Sequence, residues 1–78
     1  MELITNITLN KNIITAKCLP EKDESKAFII KVDVTTWQVL SHEGIDFAGI
    51  YVGQALAGLM NAYNEGLPFP EKIVRNWC

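Results

Sequence analysis

The sequence predicts an α+β domain: an antiparallel β-meander of three strands, or four, covered on one face by one long helix, with a short C-terminal helix. Three observations carry this. The first half of the 78-residue chain is rich in Ile, Val and Thr, broken by Asn, Pro and Thr clusters. Residues 45–65 then run without a proline and stop at Gly66. The composition, 49% hydrophobic and 21% charged with a net charge of −2, is that of a folded chain. A chain this short has room for one core, so one domain over residues 1–78 is expected, divided into a meander (1–41), a long helix (45–65) and a short helix (70–78).

Residues 2–19 read as a β-hairpin around Asn10-Lys11-Asn12. Asparagine tolerates the left-handed backbone that a tight turn needs. With Asn10-Lys11 as a two-residue turn, Ile7 faces Ile14, Thr5 faces Ala16 and Leu3 faces Cys18. Glu2, Asn6, Thr8, Thr15 and Lys17 fall on the opposite, polar face, where Ile4 and Ile13 are exceptions. Residues 20–26, PEKDESK, form a charged connector, and Pro20 ends the second strand. Residues 27–34 alternate, with Phe28, Ile30, Val32 and Val34 on one side and Lys31 and Asp33, together with Ala27 and Ile29, on the other. This is a third strand, antiparallel to the second. Thr35-Thr36-Trp37-Gln38 breaks the alternation. Val39-Leu40-Ser41 is either a fourth strand or a first helical turn, and the strand is preferred.

The long helix is signalled by Glu43 and Asp46 near its positive end, by Ser41 or Asp46 as a cap, and by Gly66 and Pro68 after its last turn. At about 100° per residue, Ile45, Ala48, Gly49, Val52, Leu56, Leu59, Met60 and Tyr63 share one stripe. That stripe is expected to lie on Leu3, Ile7, Ile14, Phe28, Ile30 and Val32. Pro70 suits the first position of the short helix and Glu71 its first turn, with Ile73, Val74 and Trp77 as its apolar side.

Charge and motif exclude several classes of function. Residues 1–31 hold five lysines against four acids, residues 32–71 hold five acids and no Lys or Arg, and Lys72 and Arg75 follow. Lysines scattered among acids do not make the cationic footprint of a nucleic-acid binder. The uncharged run 47–64 is interrupted by Gln54, Asn61 and Asn64 and has no flanking cationic cluster, so no membrane span is expected. No secretory signal opens the sequence, so the Asn6-Ile7-Thr8 sequon reads as chance, and a cytoplasmic protein without disulfides is expected. His42 is the only histidine; Cys18 and Cys78 lack ligand spacing with it, so neither metal nor cofactor is expected. No nucleophile or orienting partner accompanies His42, so the chain reads as non-enzymatic.

What stands out is a helix with two apolar sides. Phe47, Ile50 and Tyr51, bordered by Gln54, lie opposite the sheet-facing stripe, a composition suited to an interface core. Gly49, Gly53 and Ala57 recur every four residues, a spacing that permits close backbone approach. The expectation is a self-associating interaction module, a dimer or a partner of another protein. The competing reading is a small-molecule sensor with a pocket between sheet and helix near Trp37, His42 and Tyr51.

Overall fold

Strand order places the two strands that flank the helix on opposite sheet edges. The computed structural model describes residues 1–44 and 49–77. Strands β1 (Glu2–Asn10), β2 (Ile13–Pro20), β3 (Phe28–Asp33) and β4 (Gln38–Gly44) form an antiparallel meander. Helix α1 (Gly49–Glu65) follows, and β5 (Lys72–Arg75) pairs antiparallel with β1. The order across the sheet is β4-β3-β2-β1-β5. The chain therefore leaves one edge, runs through α1 and closes on the other. The α+β class and the single covering helix agree with the sequence. The sheet has five strands, and the fourth segment is extended through Gly44.

The first hairpin turns one residue later than expected. Lys11 and Asn12 form the turn, with φ of 55° and 107°, the doubly left-handed geometry that matches strand twist. Asn10 pairs with Ile13, Leu9 with Ile14 and Thr8 with Thr15. Asn6 and Ile7 then oppose the single residue Ala16, a β-bulge with Asn6 at φ 53°. Beyond it Ile4 pairs with Cys18 and Leu3 with Leu19. The expected pairs Ile7–Ile14 and Leu3–Cys18 are thus corrected. The bulge shifts the register by one, so Ile4 rather than Leu3 enters the core. It also turns Glu2 inward.

The core holds Ile4, Ile14, Ala16, Cys18, Phe28, Ile30 and Val32 from the sheet, with Ala55 and Leu59 from α1. Phe28, Ile30 and Val32 point inward as the alternation predicted. The buried side of the helix is centred on Ala55, Gly58, Leu59 and Ala62. That is roughly a quarter turn from the predicted stripe at about 100° per residue. Gly49 is exposed, while Val52, Leu56 and Tyr63 pack at the core margin. Small residues won the buried side because they let the helix sit low on the sheet. A side-chain carbon at Gly58 would lie 3.0 Å from Arg75 Cδ, 3.3 Å from Ile4 Cδ1 and 3.4 Å from Ile73 Cγ2. Ile45, Asp46, Phe47 and Ala48, including the expected start of the helix, lie outside the described residues.

In place of the expected short helix over 70–78, residues Lys72–Arg75 form a strand, and Cys78 lies outside the described residues. Ile73 and Val74 are β-branched and flanked by Lys72 and Arg75, a four-residue unit too short to nucleate a helix alone. Pairing with β1 satisfies its backbone and places Ile73 beside Ile4. His42, expected in the connection before the helix, is a residue of β4 opposite Ile30 and is exposed.

Candidate functional site

Two features of the structure lack an evident role in holding the fold: a buried acid beneath the helix and an uncharged outward side of the helix.

Glu2 is fully buried, and neither of its carboxylate oxygens has a hydrogen-bond partner. On one side it pairs in register with Pro20 and on the other with Arg75. Burial raises its pKa to about 7, against the pull of the Met1 ammonium and the Arg75 guanidinium. Arg75 does not reach it. Its Nε and one terminal nitrogen donate to Gln54 Oε1 at 3.2 and 3.1 Å. Gly58 leaves the space that the Arg75 side chain occupies. Sequence reasoning assigned Glu2 to solvent and did not single out Arg75. Residues 72–75 read as a strand would still have needed the β1 pairing and its register, which only the tertiary structure gives, to set the two opposite one another.

A second polar group closes the N-terminal end of α1. Glu21 Oε2 accepts from the Met1 ammonium at 2.8 Å and from the Tyr51 hydroxyl at 2.9 Å. The Met1 hydrogen bond, then that of Tyr51, holds the Glu21 carboxyl below its usual range. Tyr51 also packs edge-on against Trp77, with centroids 5.6 Å apart.

Among the residues of the expected helix interface, Phe47 is outside the described residues. Ile50 is 54% exposed. Tyr51 and Gln54 are half-buried and engaged with Glu21, Trp77 and Arg75. The expected pocket residues are not brought together. Trp37, at φ 57° in the β3–β4 turn, packs edge-on against Tyr63 at 5.4 Å. Tyr63 lies about 18 Å along α1 from Tyr51 at 1.5 Å per residue. No cavity opens among the described residues.

The outward side of α1 carries Ile50, Gly53, Asn61 and Asn64, all exposed, with half-buried Ala57 between them. Glu65 is the only charged residue among the described residues of the helix. A side-chain carbon at Gly49 or Gly53 would meet nothing within 4 Å. The absence of side chains at these two glycines therefore serves no contact among the described residues. No helix of the described residues is long and apolar enough to cross a membrane.

Cys18 is buried and free. Burial, and then the charge of Glu2, pushes its thiol pKa well above the ordinary range. Because the thiolate is the reactive form, Cys18 is expected to resist a thiol reagent in the folded protein and to react fully in denaturant. A Cys78→Ser variant makes the measurement specific to Cys18. Rapid labelling without denaturant would show that the layer opens locally.

No protein-family model matches the chain, and no curated protein or solved structure matched it either.

Proposed function

We propose that this chain is a non-enzymatic module that self-associates through the outward side of α1. The observation that supports this is the lack of any charge on the helix from Gly49 through Asn64. A solvated helix face normally carries charged and polar residues along its length. Here it carries an exposed isoleucine and a glycine inside the helix that costs about 1 kcal/mol relative to alanine. A second helix laid along Gly53 and Ala57 would use that flatness and cover Ile50. The sheet edges are poorer candidates. β5 is short and bears Lys72 and Arg75, and β4 is interrupted by a register shift at Lys31/Val32. A reducing compartment such as the cytoplasm suits the free Cys18.

The test is sedimentation equilibrium of the wild type beside Gly53→Glu. Glutamate improves helix propensity by about 0.5–1 kcal/mol, so the variant is expected to fold at least as well. It also sets a charge in the middle of the contact. A dimeric wild type and a monomeric, equally helical variant are expected. A wild type that stays monomeric at high micromolar concentration would refute self-association.

A further inference from the structure

We propose that Glu2, Arg75 and Gln54 form a proton-operated latch between α1 and β5: Arg75 holds Gln54 while the Glu2 carboxyl is protonated, and turns to Glu2 when it ionises. The latch stands independently of self-association.

The geometry places three groups in competition. Arg75 is the direct cross-strand neighbour of Glu2, and such neighbours have Cβ atoms only about 4.5–5.5 Å apart. Its guanidinium is spent on one neutral acceptor, Gln54 Oε1. A guanidinium prefers a carboxylate when one is present, because the charged, two-pronged pair is stronger than a bond to an amide. Glu2 meanwhile is fully buried with both oxygens unpartnered, which is tolerable only for the neutral acid. When the acid loses its proton to solvent, the buried carboxylate needs a partner and Arg75 is the adjacent cation.

The other charged and titratable groups around Glu2 leave that role to Arg75. Just before β1 the Met1 ammonium attracts Glu2 but is held by Glu21 at 2.8 Å. From β2 the Cys18 thiol is kept neutral by burial. From α1 the Tyr51 hydroxyl donates to Glu21. Burial raises the Glu2 pKa to about 7, so the exchange falls near neutral pH. In the ionised state α1 loses its polar tie to β5. Trp77, two residues beyond Arg75, packs on Tyr51 of the same helix and senses the change.

The test is a pH titration of the full chain by NMR from acid to mildly alkaline pH. It follows the Glu2 carboxyl carbon, the Arg75 Nε and the Gln54 side-chain amide. One shared midpoint is expected for all three. Glu2→Gln, nearly the same shape, should remove the Arg75 and Gln54 steps. Gln54→Leu frees Arg75 for the carboxylate, so the acid dissociation constant of Glu2 should rise about tenfold, one pH unit lower in midpoint. The latch is overturned if Glu2 titrates in the ordinary carboxylate range. It is overturned equally if Arg75 and Gln54 stay flat while Glu2 titrates, or if the Glu2 midpoint is the same in Gln54→Leu.

Discussion

Folding stability is expected to fall as the pH rises from about 4.5 to about 7, the interval between the ordinary and the buried pKa of Glu2. In that window the folded chain keeps the Glu2 proton and the unfolded chain has lost it. The folded state therefore binds more protons, and each step up in pH favours unfolding. The contribution is full below the unfolded pKa and gone above the folded one. At about 1.4 kcal/mol per pH unit the whole effect is about 3 kcal/mol. Glu21, Asp23 and Asp33 act in the opposite sense, because hydrogen bonds from Met1, Ser25 and Thr35 hold them below the usual range. Their contribution fades as the pH falls, so stability should peak near the acid end of the Glu2 window. Denaturant titrations of wild type and Glu2→Gln at pH 5 and pH 8 check this. The variant should lose most of the decline, and its melting temperature at pH 8 should exceed the wild type's by more than about 10 °C. Parallel pH profiles for the two proteins would place the Glu2 side chain in water.

Ile4→Ala is expected to cost about 2–5 kcal/mol, and Leu3→Ala only about 1 kcal/mol. Ile4 has no exposed surface and packs in the centre of the core, next to Gly58. Leu3 is half-buried on the other face of the sheet, between Leu19 and Val74. Truncating Ile4 leaves a hole that the low-lying helix cannot fill without shifting Ile73 and Arg75. Chemical denaturation of the two variants separates the bulged register from the unbulged one. In the unbulged hairpin the order of the two costs would be reversed.

That reversal shows where local reading stopped. Phe28, Ile30 and Val32 were legible because they share one parity while Lys31 and Asp33 mark the other as the polar face, with Ile29 as its one apolar exception within β3. Residues 2–9 allow two solutions, since Leu3 and Ile7 lie on one parity and Ile4 on the other. A bulge at Asn6 resolves the conflict by changing parity halfway along the strand. Asparagine at φ 53° is compatible with it, but the same residue is equally at home on a polar face. The helix likewise had two apolar sides to choose from. Leucine and methionine outweigh alanine and glycine in hydrophobicity, so periodicity favoured Leu56 and Met60. Packing favoured Ala55, Gly58 and Ala62, because a sheet that presents Ile4 and Ile73 needs space above it. The Ile50 side was visible from periodicity alone, whereas the buried acid was not, because its position depends on the bulge and on β5 together.

The sequence by itself determined the class, the meander, the third strand, the long helix and its stop at Gly66, all properties set by residues near one another along the chain. Only the tertiary structure decided which parity of β1 faces inward, which side of α1 lies down, and that residues 72–75 are extended. Each of these is fixed by a partner distant in sequence: β5 becomes a strand because β1 offers an unpaired edge, and Glu2 becomes a buried acid because β5 and α1 close over it. Backbone hydrogen bonds to a distant edge outweigh the local preferences of four residues.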